Sequence, residues 1–194
     1  KFRSMMLETT GLDIIDYLTI ASISHAYLIS MGCYEDVYEM SGIVREFIQK
    51  CVVGGRTMCG KNEKQIINTP TDDFDAKSLY PSAMVRMKGF LKGKPKLIPK
   101  DQLNNKSFYT DKDGYFLKVK ITKVGKNRSF PLLSKMNKEG VRMFSNDIVG
   151  EILYLDKTTL EDAKEFQDID YEVLLGVYYD EGHNPTIVKV MSDL

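Results

Sequence analysis

Cysteine is scarce and poorly spaced for chemistry. Cys33, Cys51 and Cys59 form an odd set without a C-x-x-C pair, which argues against a disulfide framework and a cysteine-held zinc site and points to a reducing intracellular compartment. An excess of charge of one sign is also lacking. Lys and Arg number 27 and Asp and Glu number 27, so net charge is silent about nucleic acid, and such a partner has to be read from local patches. A long unbroken apolar run is missing too: the window IIDYLTIASISHAYLISMG is interrupted by Asp16 and His25, which argues against a membrane partner. No basic leader with a small-residue cleavage site, no internal repeat and no low-complexity tract is present. What remains, at 194 residues with 43% hydrophobic and 28% charged, is a globular chain able to bury one substantial core or two small ones. It starts inside a helical pattern and stops at KVMSDL, as a segment cut from a longer protein would.

The spacing predicts helices first. Ile14, Leu18, Ala21, His25 and Leu28 fall on one stripe, with Asp13 as an N-cap and His25 as a core histidine. A second helix follows Ser41, with Ile43, Val44, Phe47, Ile48 and Cys51 on its apolar face and Gly54 as its C-terminal cap. The period then changes. QIINTPTDDFDA predicts a short strand delivering the chain to Asp75, and SLYPSAMVRM a helix with Pro81 in its first turn. GYFLKVKITKV alternates Leu117, Val119 and Ile121 with Lys118, Lys120 and Thr122, a half-buried strand with a basic outer face. GEILYL reads as another strand, Thr158 and Glu161 as a capping box opening a helix to Gln167, and YEVLLGVYYD as a central strand. The class is α+β with antiparallel pairing.

The stretch DFDAKSLYPSAM carries the chemistry. A carboxylate at the tip of an extended segment, followed by the amides of a turn entering a helix, can hold Mg²⁺ together with a triphosphate: carboxylate and carbonyl oxygens take the metal, and N–H groups take phosphate oxygens. Phosphoryl transfer needs that positioning and charge neutralisation. An isolated Asp before a helix is more often an N-cap, so the whole string decides.

The string resembles motif A of family B DNA polymerases, whose D-x-x-S-L-Y-P core is matched by Asp75, Ser78, Leu79, Tyr80 and Pro81. The rest of the chain resembles the protein-primed branch found in viruses and linear plasmids. The resemblance implies a helical junction after an exonuclease domain over 1–56, a partial palm with motif A over 57–90, and a palm continuation with an α+β insertion over 91–194. It makes Asp75 the catalytic ligand to two Mg²⁺ ions, with the Ala76 carbonyl assisting. Ser78 and Leu79 would offer amides to the triphosphate of a dNTP, and Tyr80 would lie under the deoxyribose, where its ring excludes a 2′-hydroxyl. Gly54 and Gly55 match the end of a Y-x-G-G element along the template, with Val52 in place of Tyr and Arg56 adding charge. Lys118 and Lys120 would contact DNA. Two basic runs could meet phosphates: Lys88, Lys92, Lys94, Lys96 and Lys100, then Lys118, Lys120, Lys123, Lys126 and Arg128. Primer-template DNA and a priming terminal protein are the implied partners, in virus- or plasmid-associated replication.

The family's D-T-D motif and its K-x-x-x-N-S-x-Y-G helix do not occur in these residues. The expectation is therefore an incomplete enzyme, inactive by itself, that contributes Asp75 to a polymerase. The alternative is a platform that binds DNA or a priming protein without chemistry of its own.

Overall fold

The computed structural model describes residues 1–55 and 64–193. Over these the chain is mixed α+β with antiparallel sheets, and it divides into two compact units. Unit 1 is built from residues 1–38, 74–94 and 181–194, and unit 2 from 39–73 and 95–180.

Unit 2 is organised by two long strands, β3 (Gly114–Val124) and β7 (Ile169–Tyr179), paired antiparallel. β6 (Ile152–Asp156) joins the far edge of β3, and β2 (Lys96–Leu97) the far edge of β7, giving the order β2-β7-β3-β6. The period-2 pattern works as expected: Leu117, Val119 and Ile121 are fully buried, Lys118 is half-buried and Lys120 is exposed. The buried row packs with Leu153, Leu155, Tyr171 and Val173 against Leu160 and Ala163 of α6 (Lys157–Gln167). Each of the buried Leu, Ile and Val side chains contributes about 1.5–3 kcal/mol by leaving water. Gly176 lies opposite Leu117, and a Cβ there would sit 2.5 Å from Leu117 Cδ2 and 2.7 Å from Ile98 Cδ1. β7 is central as read, although Asp170 and Glu172 remain exposed on one face.

The start of α6 differs from the expected capping box at Thr158. Asp156, the last residue of β6, is the N-cap and accepts from the Thr159 N–H at 3.0 Å, so strand passes to helix without a loop. At the other end, Gln167 is fully buried. Its Oε1 accepts from the Leu132 N–H at 2.7 Å and its Nε2 donates to Asn146 Oδ1 at 3.1 Å. Asn146 in turn accepts from the Arg128 N–H and donates to the Arg128 carbonyl. Removing the amide strands several of these groups. Gln167→Leu should therefore cost about 2–4 kcal/mol in denaturant unfolding.

Between these elements lies a hairpin of β4 (Ser134–Met136) and β5 (Arg142–Phe144), closed by Asn137 Oδ1 accepting from the Glu139 and Val141 N–H groups. Also in unit 2, α3 (Gly42–Cys51) packs against β6, with Phe47 edge-on to Tyr154. Phe47, Ile48 and Cys51 are buried, but Ile43 is 85% exposed because it sits in the first turn, ahead of the packed face. The helix ends at Val52 in extended conformation, so Gly54 is not its cap. Burial pushes the Cys51 thiol up to about 12. Cys33 is likewise buried, and Cys59 lies outside the described residues.

In unit 1 the single stripe expected over Ile14–Leu28 is two elements. Asp13 caps only a short 3-10 turn, Ile14–Asp16, and Thr19 with Ser22 forms a reciprocal capping box that opens α2 (Ile20–Ser30). The restart shifts the buried face to Ile23, with Tyr27 and Leu28 half-buried. Leu18 is fully exposed, and His25 is an exposed residue beside Tyr34 rather than a core histidine. α1 (Phe2–Thr10) precedes these elements and stops at Gly11 in the left-handed conformation. β1 (Phe90–Leu91) pairs with β8 (His183–Asn184), and α4 (Leu79–Arg86) lies against α7 (Thr186–Asp193). No helix among the described residues is long and apolar enough to cross a membrane.

Candidate functional site

The motif-A stretch lies in unit 1, all of it on the surface. The approach to Asp75 is not the expected strand: described residues 64–76 belong to neither strand nor helix. Pro70 lacks a ladder donor, and Ile66 and Ile67, 84% and 60% exposed, rest on no partner strand. Lys77 and Ser78 then form a turn, and α4 begins at Leu79.

Ser78 is the pivot. It is the N-cap of α4 and adopts φ 52, ψ 45, a left-handed conformation uncommon outside glycine and a form of backbone strain that gathers at functional sites. The first bond of the helix runs from the Ser82 N–H to the Ser78 carbonyl at 2.9 Å. Pro81 has no N–H, so the amides of Ser78, Leu79 and Tyr80 precede the helical ladder at the electropositive end of α4. Asp75 and Ala76 lie three and two residues upstream, both exposed, and no hydrogen bond or ion pair engages the Asp75 carboxylate among the described residues. Tyr80 is 73% exposed. Carboxylate, carbonyl, amides and aromatic ring thus occur within six consecutive residues.

The oxygen donors suit Mg²⁺, which takes one or two carboxylates, keeps several waters and shares substrate phosphates. They make part of a site: no group of three His, Cys, Asp or Glu side chains among the described residues is arranged to hold a metal. Asp75 and the Ala76 carbonyl fit as contributors to a centre completed by another carboxylate.

The other expected site residues fall in unit 2. Gly54 and Gly55 are exposed beyond α3, and Arg56 lies outside the described residues. Gly54 borders a cavity of about 480 Å³ whose lining includes Lys50, Arg142 and Tyr154. Val52 stands where the resembled element has Tyr, and the cavity that Gly54 borders is lined by two other rings, Phe144 from β5 and Tyr154 from β6. The Lys118 ammonium lies 5.7 Å from the centre of that ring, and the Lys50 ammonium 5.3 Å from it. Lys120 is exposed one step along β3, opposite Ile152 and Glu172.

The two basic runs are partly committed to folding. Lys92 pairs with Asp36 at 2.7 Å, Lys96 with Asp180 at 2.7 Å, and Lys123 with Asp168 at 3.4 Å, while Lys94 lies over the Tyr38 ring. Sequence reasoning did not single out Lys50, Arg142 or Tyr154. Each looks ordinary in its own segment, and folding brings together positions roughly ninety residues apart.

Residues 1–177 match the family described as DNA polymerase type B, organellar and viral. No curated protein and no solved structure gives a significant match. The chain belongs to the organellar and viral type B DNA polymerases.

Proposed function

We propose that this chain forms part of the catalytic floor of a DNA polymerase of the protein-primed type. Asp75 and the Ala76 carbonyl would ligate the two-Mg²⁺ centre, the Ser78 and Leu79 amides would receive the triphosphate of the incoming dNTP, and the Tyr80 ring would stand under its deoxyribose. One observation carries this reading: an exposed carboxylate, unpaired among the described residues, is followed, through a left-handed Ser78, by a helix start whose first N–H groups precede the helical ladder. Bound Mg²⁺ would supply charge neutralisation at the reacting phosphates. The residues of the chain position and orient. The amides fix the phosphate tail without moving a proton, and the ring sets the depth at which a sugar can lie.

Rejection by a rigid aromatic wall works through a clash with the wrong substrate. In the complete polymerase, Tyr80→Ala should relax sugar discrimination. Single-nucleotide kcat/KM values should show ribonucleotide incorporation gaining on deoxyribonucleotide incorporation by about tenfold or more, equivalent to about 1.4 kcal/mol. An unchanged ratio would remove Tyr80 from the sugar site.

A further inference from the structure

The short β1–β8 ladder joins two helices of unit 1. Phe90 faces Asn184 and Leu91 faces His183 in antiparallel register. α4 reaches the ladder through residues 87–89 and α7 leaves it through Pro185, so one helix arrives and the other departs at the same end of the ladder. The two helices lie against each other. α4 buries none of its own residues, and its eight residues extend about 12 Å, so its first turn, with Leu79 and Tyr80, is carried well away from the ladder. α7 is the better rooted of the pair. Its Ile187 and Val190 are buried with Cys33, and half-buried Tyr27, Leu28 and Phe90 pack around them.

The start of α7 is fixed by one buried side chain. Asn184 Oδ1 accepts from the Thr186 N–H at 3.0 Å, where α7 begins. Its Nδ2 donates to the Gly32 carbonyl at 2.9 Å and the Glu35 carbonyl at 3.1 Å, both in the turn after α2. A helix cap needs only the oxygen. The two donated bonds tie the helix start to a separate segment, so ladder, turn and α7 are held at one point. Gly89 closes the same junction from the side of α4: it is buried, and the Asn184 carbonyl leaves no room for a Cβ there.

We propose that Asn184 is a positioning residue for the nucleotide site. By fixing where α7 starts, it fixes the support along which the first turn of α4 lies, and with it the depth at which the Tyr80 ring meets the sugar. The proposal rests on the polymerase reading of Tyr80. Asn184 touches no substrate and acts through α7 and α4. A site that discriminates by a clash is sensitive to displacements of about 1 Å, because a ring that retreats that far admits the wrong sugar.

The test is single-nucleotide kcat/KM for deoxyribonucleotides and ribonucleotides with the complete polymerase. Asn184→Asp keeps an oxygen for the Thr186 N–H but turns an acceptor against the Gly32 and Glu35 carbonyls. Asn184→Ser adds no charge, and its single hydroxyl cannot serve both carbonyls; it carries the comparison if the Asp variant does not fold. Each should lower the preference for deoxyribonucleotides about three- to tenfold, with most of the deoxyribonucleotide loss in KM. In a Tyr80→Ala background the same substitutions should change the preference no further, because the ring they displace is gone. Ile23→Val trims the unit 1 core at α2 without touching Asn184 and should keep the parent's preference. The proposal is overturned if the Asn184 variants slow both nucleotides alike, as a purely structural role would. It is equally overturned if their effect persists undiminished in Tyr80→Ala, or if Ile23→Val shifts the preference as much. An unchanged preference in Tyr80→Ala alone would overturn the sugar-site reading and this proposal with it; a shift in Tyr80→Ala and none in the Asn184 variants would overturn this proposal only.

Discussion

Asp75→Asn in the complete polymerase should lower templated incorporation by about three orders of magnitude or more, about 4 kcal/mol of transition-state stabilisation. The substitution removes one negative charge and almost no volume from an exposed position. An amide oxygen is a poor substitute for a carboxylate on a hard cation. Stability should stay within about 0.5 kcal/mol of the parent, because the side chain is outside the core and engages no partner among the described residues. Activity and stability should therefore separate cleanly. Loss of both together would mean that Asp75 holds structure and not substrate.

The largest effect on folding should come from Gly89→Ala. Gly89 has φ +115, and a Cβ there would lie 2.0 Å from the Asn184 carbonyl oxygen and 2.8 Å from Pro185 Cα. Neither backbone atom can move freely. Asn184 is paired with Phe90 across the β1–β8 ladder, and its Nδ2 donates to the Gly32 carbonyl at 2.9 Å and the Glu35 carbonyl at 3.1 Å. Its Oδ1 accepts from the Thr186 N–H at 3.0 Å, which sets the start of α7. Relieving the clash means dislodging this clamp, so the cost should be about 3 kcal/mol or more. Gly140→Ala is the comparison. Its φ is +77 but nothing lies within 4 Å, and the conformational penalty alone is about 1 kcal/mol. Denaturant unfolding checks the pair, and amide exchange should place the Gly89→Ala loss in unit 1.

Much of unit 2 was legible because its signals are local. The alternation of Leu117, Val119 and Ile121 with lysines specifies which face of β3 is buried. Boundaries were less legible. Thr158 and Glu161 present a plausible capping box, yet Asp156 lies two residues earlier and reaches the Thr159 N–H first. The break between the turn at Ile14–Asp16 and α2 was hidden because Thr19 and Ser22 cap as a pair, while the apolar residues around them still mimic one stripe. Ahead of Asp75, β-branched Ile66 and Ile67 suggested a strand, but strands require partners and none among the described residues pairs with this segment.

The candidate site divides along the same line. Asp75, Ser78, Leu79 and Tyr80 could be named from a contiguous string, since the proposed site residues are neighbours in sequence and need no distant partner to be picked out. The left-handed conformation of Ser78 could not, because serine carries no mark of it. Lys50, Arg142 and Tyr154 share a cavity only after α3, the β4–β5 hairpin and β6 have assembled, and no local pattern records that.

Asp72, Asp73 and Asp75 all lie exposed in the same irregular stretch, and only Asp75 occupies the position three residues before Ser78 that the metal-ligand reading requires. Single-turnover primer extension with Mg²⁺ by the complete polymerase, comparing the parent with Asp72→Asn, Asp73→Asn and Asp75→Asn, tests this assignment most directly. Normal incorporation by the Asp72 and Asp73 variants and none detectable by Asp75→Asn is the predicted result; incorporation by Asp75→Asn at the parent's rate would contradict it.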